Sequence, residues 1–326
     1  MRFATYEHHG AERVGVIRGD VICPLSDPGS LAELVARGTL AYAAERADVG
    51  TGVDIAEVRL LPPLLPPSIR DFITFEQHVV AMAQRFGDEV PDQWYQAPAF
   101  YFTNPHALIG AHDPVAIPPG CAMFDFELEV AAVIGRAGRD LTPRQARDHI
   151  VGYTILNDWS ARDVQAREMT VHLGPAKGKD SATTLGPWLV TSDELEPYRD
   201  TDGMLDIGLT VAVNDVVGRD RLANMAWTFE EMVAYASRGA WVRPGDVLGS
   251  GTCGSGCLAE LWAWAGTEHP PPLRPYDTVT ITVEGIGVIS NTVVAGAEPV
   301  AIPPARRRPR LTGSVLSAHA ESEEQR

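Results

Sequence analysis

The chain has 326 residues, 45% of them hydrophobic and 21% charged, and a formal net charge of -16, which supplies material for one large domain and a smaller one. That acidic balance excludes non-specific binding to nucleic acid or to anionic lipid, since both need clustered Lys and Arg. MRFATYEHHGAERVGVIRGD has no basic segment leading into an apolar one, and no later run of about 18 apolar residues could span a bilayer, so a cytoplasmic protein acting on a small molecule is expected.

In chain order, RFATYE, RVGVIRG and DVICPL predict short strands, and SLAELVARG predicts a helix with Ser30 as N-cap. This gives a small N-terminal β-rich lobe over 1–65, closed by the stiff, proline-fixed LPPLLPP from Leu61 to Pro67. Over 66–300 the pattern predicts helices at EQHVVAMAQRF, at TPRQARDHI, from Ser160 onward and at TFEEMVAYASRG. Strands are predicted at VGYTILN, GPWLVT, IGLTVAVND, DVLGSG, LAELWAWAG and DTVTITVEGIGVISNTV. Strands outnumber helices, so the expected class is a mixed, strand-dominated α+β fold without internal repeats. Residues 301–326, rich in charge and poor in apolar side chains, are expected to be a disordered tail.

Cys23, Cys121, Cys253 and Cys257 are too few and too scattered for a disulfide framework. Cys253-x-x-x-Cys257 lacks a second ligand pair in the sequence for zinc, and reduced structural thiols are expected. GSGTCG, Gly249 to Gly254, matches a dinucleotide fingerprint, but CLAELWAWAG after it reads as a strand and not as the helix that must meet a pyrophosphate. GPAKGKD has too few residues between its glycines for a phosphate loop, and Asp180 stands where Ser or Thr should be.

FDFELEV, Phe124 to Val130, carries the chemistry that remains. At a strand's period of two, Asp125, Glu127 and Glu129 share a face opposite Phe124, Phe126, Leu128 and Val130. Glu127 and Glu129 side by side repel unless a cation lies between them, and all-oxygen ligation favours magnesium, calcium or manganese. The alternation alone fits a solvated edge strand better than a metal site. In NDWSARD, Asp158 emerges at the end of the apolar strand VGYTIL, although Asn157 or Asp158 could cap a helix and Ser160 with Asp163 could form a capping box. Asp71 in IRDFITFEQH, taken alone, fits an ordinary turn.

Six ordered segments, IRDFITFEQH, FDFELEV, GYTILNDWSARDVQ, GKDSATTLGPW, GDVLGSGTCGSG and AELWAWAG, resemble the motif series of the fumarylacetoacetate hydrolase family over residues 68 to 295. The resemblance implies rolled mixed sheets with peripheral helices, a homodimer, and a divalent ion, magnesium first and manganese or calcium next. It implies Asp71, Glu127, Glu129 and Asp158 as metal ligands, and His78 oriented by Glu260 as a base. It implies Lys179 beside the substrate oxygens and further contacts from Arg162, Gln165, Tyr101, Thr252 and Thr183. Arg162 could equally be a structural partner of a ligand carboxylate, and Asp125, outside the E-x-E pair, is read as a supporting or solvated residue.

The expected activity is therefore hydrolysis of a carbon-carbon bond in an acylpyruvate or other 1,3-dicarbonyl, with water activated by His78 and Glu260. A hydratase, isomerase or decarboxylase on 2-hydroxy-dienoates or 2-oxo acids is the alternative, and a silent metabolite-binding protein a further one. Ile73, Gly87 and Met169 replace two tyrosines and an arginine of the mammalian enzyme's substrate contacts, and Ala182 replaces a glycine. The resemblance thus implies a related substrate and not fumarylacetoacetate itself.

Overall fold

The structure, a computed structural model, describes residues 1–26, 29–214 and 216–307. Its main sheet runs in spatial order through Val53–Asp54, Val21–Pro24, Ala11–Arg18, Arg2–His8, Thr183–Thr191, Ile150–Asp158, Leu128–Ile134, Val247–Gly249, Ile69–Phe72 and Phe100–Thr103. A second sheet joins Val216–Arg221, Gly208–Val213, Thr278–Val283, Gly287–Val294 and Val115–Ala116. The fold is the expected strand-rich α+β class, with mixed sheets, short helices and, among the described residues, no closed barrel. Among the described residues no helix is long and apolar enough to cross a membrane.

The N-terminal strands continue the main sheet, with Phe3 of Arg2–His8 opposite Leu189. Ser30 caps the helix Leu31–Arg37 by accepting a hydrogen bond from Glu33 N, as its sequence predicts. Residues 301–307 form no helix or strand and are exposed; the rest of the predicted tail, 308–326, lies outside the described residues.

The centre of the sheet positions the site. Leu128–Ile134 is buried along its whole length, and its Leu and Val side chains each contribute roughly 1.5–3 kcal/mol by leaving water. With both faces covered, this is no solvated edge strand. Its neighbours on both sides are antiparallel, Leu128 pairing with Asn157 and Ala131 with Gly249. Gly249 in turn pairs with Asp71 in a parallel ladder, and Asp71 with Tyr101. Acidic side chains from distant parts of the chain thus meet at one end of adjacent strands.

Three local expectations are corrected. LAELWAWAG is not a strand: Leu258–Ala265 is a helix. Its start is fixed from far away, because Asp125 Oδ1 accepts from Leu258 N at 2.8 Å and Oδ2 from Ala259 N at 3.0 Å. The same carboxylate occupies the amides a pyrophosphate would need, so the dinucleotide reading fails for this reason and not for the one drawn from sequence. FDFELEV is not one strand either. The ladder stops after Phe124–Asp125 and resumes at Leu128, with Glu127 N donating to Asn157 Oδ1 at 2.9 Å. Finally, Ser160 forms no capping box; it lies in a two-residue strand opposite Asp125, and the helix begins at Arg162.

Candidate active site

Asp71, Glu129 and Asp158 each place a carboxylate oxygen within 4.8 Å of the other two. All three are buried. Asp71 Oδ1 and Asp158 Oδ1 accept no hydrogen bond from any described residue, a costly state for buried oxygens in isolation. Glu129 Oε2 accepts from Gly251 N at 3.0 Å, and the Tyr101 hydroxyl donates to Asp71 Oδ2 at 3.0 Å and to Asp158.

Gly249 makes room for the cluster. A Cβ there would stand 2.7 Å from Asp71 Oδ1 and 2.9 Å from Glu129 Oε2, closer than carbon and oxygen pack. Gly251, with φ of +81°, turns the chain against the Phe72 carbonyl, which a Cβ would meet at 2.3 Å. Two glycines thus let backbone approach the carboxylates closely.

Glu127, the remaining carboxylate of the expected ligand set, meets two cations. Its Oε1 lies 2.7 Å from Arg162 Nη2 and its Oε2 2.5 Å from Lys179 Nζ, which also reaches Asp158 Oδ2 at 2.7 Å. Burial works to raise the Glu127 carboxyl, but the Lys179 and Arg162 cations outweigh it and hold the group well below the usual carboxylate range. Burial also works against the charge of Lys179, and Asp158 and Glu127 more than offset it, so the ammonium is held above its ordinary range. Lys179 is a buried fixed cation, not a solvated loop residue.

The three clustered acids shift the other way. Burial first, and then the charge of Asp158, pushes Asp71 up to about 8. Burial and the neighbouring Asp71 and Glu127 charges push Glu129 well up, and burial raises Asp158 despite Lys179. Five buried carboxylates, counting Asp125, face, among the described residues, only Lys179 and Arg162 as buried cations here. Unsaturated hard oxygens, excess negative charge and the gap at Gly249 fit a divalent cation held by Asp71, Glu129 and Asp158.

The helix Glu76–Phe86, capped by Gly87, carries His78; the helix Leu258–Ala265 carries Glu260. His78 Nδ1 lies 3.4 Å from Glu260 Oε2, within ion-pair reach and long for a hydrogen bond. Glu260 Oε1 is saturated by Gln77 Nε2 at 2.8 Å and Ser255 N at 2.9 Å, which turns Oε2 toward the imidazole. Burial tends to raise the Glu260 carboxyl, but His78, Ser255 and Gln77 together lower it below its usual value.

A cavity of about 860 Å³ opens on this group, with Asp71, His78, Tyr101, Glu127, Glu129 and Lys179 in its wall. Arg162, Gln165 and Thr252 also line it. Thr183 stands behind Asp158 in register and not on the wall. Arg162 binds Asp125 at 2.8 Å as well as Glu127, and it accepts support from Gln165, whose Oε1 receives its Nη1 at 3.1 Å. Asp125 is therefore fully buried between Arg162 and the Glu260 helix, and the solvated reading of it is excluded.

Sequence reasoning missed Gln77, Gly249, Gly251 and Asn157 as parts of this arrangement. Gln77 adjoins His78 and had a signal in that adjacency; the others act through backbone placement, which only the paired strands reveal.

The fold and this cluster define an enzyme of a known class. The family description fumarylacetoacetate (FAA) hydrolase C-terminal matches residues 68–294, and the chain belongs to that family. A Mycobacterium tuberculosis protein is 34% identical over 253 residues, covering 77% of this chain and 84% of that one. A fumarylacetoacetate hydrolase from Exiguobacterium antarcticum superposes with a TM-score of 0.71 at 27% identity, covering 90% of this chain and 99% of the other. A 5-carboxymethyl-2-hydroxymuconate delta-isomerase from Mycobacterium smegmatis superposes with 0.67 at 28% identity, covering 90% and 100%. Hydrolases and isomerases thus share this fold, and membership alone does not choose between them.

Proposed function

We infer that the protein hydrolyses a carbon-carbon bond in an acylpyruvate or related 1,3-dicarbonyl substrate. The observation that carries this reading is the pairing of Glu260 with His78, which lines the same cavity as Asp71 and Glu129. Proton abstraction from water needs a base with a partner for the cation it becomes, and Glu260 is held ionised for that role.

Asp71, Glu129 and Asp158 would hold a divalent cation, magnesium the favoured ion, which would supply Lewis-acid polarisation of the substrate oxygens. The chain's own residues do the rest. Nδ1 of His78 faces Glu260, which leaves Nε2 to take a proton from water as the oxygen attacks the acyl carbonyl. Lys179, a permanent buried cation, stabilises negative charge developing on the pyruvate-side oxygens. The imidazolium then returns its proton to the leaving carbon, so acylpyruvate and water become a carboxylic acid and pyruvate. Arg162 holds Glu127, and Glu127 holds Lys179 in place.

Arg85 lines the same cavity, its guanidinium 5.3 Å from the Trp262 ring centre, and among the described residues no carboxylate pairs with it. It fits a substrate whose acyl end is itself acidic or polar. The second reading, isomerisation, is supported by the isomerase likeness and needs enolisation by Lys179 and a base without water attack. A panel of acylpyruvates and dienoates with magnesium, followed by loss of enol absorbance and product identification, separates the two. Proton exchange or double-bond migration without a released acid would sink the hydrolytic reading.

A further inference from the structure

The Cys253-x-x-x-Cys257 pair lacks zinc partners in the sequence, and the fold supplies them to one of its members. Cys257 Sγ lies 3.8 Å from His78 Nδ1, and that nitrogen lies 3.4 Å from Glu260 Oε2. Ligand atoms of His78, Cys257 and Glu260 all fall within 4.8 Å of one another, and the three residues are buried. Glu260 is 0% exposed, and its Oε2 accepts no hydrogen bond from any described residue. A buried carboxylate oxygen, an imidazole nitrogen and a thiol therefore converge on one point.

We propose that His78, Cys257 and Glu260 form a second metal site, selective for a soft divalent cation such as zinc, whose occupation switches the enzyme off. Tetrahedral zinc, with bonds of about 2.0–2.1 Å to nitrogen and oxygen and about 2.3 Å to sulfur, sets its N and O ligands about 3.3 Å apart and its N and S ligands about 3.5 Å apart. The observed separations of 3.4 and 3.8 Å match those edges within a few tenths of an ångström. A closed His-carboxylate hydrogen bond would instead draw the pair in to about 2.7–2.9 Å.

The two metal sites differ in chemistry. Asp71, Glu129 and Asp158 offer oxygen alone and suit magnesium, calcium or manganese, whereas thiolate with imidazole suits zinc. They share no ligand, so both can fill at once. Coordination exchanges the Cys257 S–H bond for an S–metal bond and releases the proton to solvent. Gln77, which is exposed, and Ser255, which is partly so, both donate to Glu260 Oε1 and link the site to the surface.

Zinc on Nδ1 takes the nitrogen that Glu260 otherwise supports, and a proton arriving at Nε2 would place a cation beside a dication. The base is lost. This inhibition rests on the reading of His78 as the base; occupancy of the site does not.

The test uses full-length protein saturated with magnesium and titrated with cobalt(II) as a spectroscopic stand-in for zinc. A thiolate-to-cobalt charge-transfer band is expected, bleached by zinc, retained in Cys253→Ser and absent in Cys257→Ser. Serine preserves the N-cap that Cys257 provides to Glu260 N. Zinc affinity is expected to fall roughly 100-fold in Cys257→Ser, since even changes outside the ligand shell cost about 10–100-fold. Zinc inhibition should resist excess magnesium in the wild type and disappear in this variant. X-ray absorption of zinc-loaded wild type, which needs no variant, should show one sulfur in the shell. A shell of nitrogen and oxygen alone, a band that survives Cys257→Ser, or inhibition relieved by excess magnesium overturns the proposal. If the protein proves to be an isomerase, the cobalt band and the sulfur shell still decide occupancy.

Discussion

Gly249 stands in register with Asp71 on one side and with Ala131 on the other, and the missing side chain is what lets Asp71 and Glu129 share a space. Gly249→Ala inserts a carbon into contacts of 2.7 and 2.9 Å. The expected outcome is a folded protein whose magnesium affinity, measured by calorimetry, falls at least about tenfold, in line with the cost of disturbing a metal ligand's surroundings. Wild-type affinity in this variant would mean the cation does not sit between these carboxylates.

The raised carboxyls predict a pH signature of the metal-free protein. Asp71 is at about 3.8 when unfolded and about 8 when folded, so the folded state binds the extra proton between those values. Stability of the metal-free protein should fall as pH rises through that window. A bound cation replaces the proton, so the gain in Tm on adding magnesium should be larger at pH 8 than at pH 5. At 100 times Kd the gain corresponds to about 2.7 kcal/mol. Equal gains at the two pH values would contradict the cluster as the binding site.

Asp125 predicts a structural effect on a chemical residue. Its carboxylate takes two amides of the Glu260 helix and the Arg162 guanidinium. Asp125→Asn breaks a buried ion pair, with an expected loss of roughly 3–5 kcal/mol in urea unfolding and a misplaced Glu260. Unchanged stability would show the helix start is held by Cys257 alone.

Arg85 predicts substrate choice. Arg85→Ala should raise KM for acylpyruvates with an acidic acyl end by roughly 10-fold or more, a lost charged hydrogen bond being worth about 1.5–3 kcal/mol. KM for an alkyl acylpyruvate should stay the same. A uniform rise for both would show that Arg85 supports the wall through Trp262 and does not read the substrate.

Much of this was legible in the sequence because the family motifs fall in order and because strand periodicity marks the buried core. Glu127 and Glu129, Asp158, Asp71, His78 and Glu260 do converge. Less legible was what each carboxylate touches. Glu127 and Glu129 sit two residues apart, yet a break in the ladder sends the first to Lys179 and Arg162 and leaves the second with Asp71. LAELWAWAG was misread because nine residues rich in Trp and Leu carry no decisive period. The Asp125 carboxylate that starts that helix comes from a distant strand, a tertiary contact local pattern cannot express. The thiol beside His78 escaped for the same reason.

The most direct measurement follows an acylpyruvate in ¹⁸O-labelled water with magnesium, comparing wild type with His78→Ala and Glu260→Gln. The account predicts label in the released carboxylic acid, pyruvate formed in equal amount, and turnover lowered on the order of 10²–10⁴-fold in both variants. Cleavage at near wild-type rate in His78→Ala, or a wild-type enzyme that moves protons without releasing a labelled acid, would contradict it.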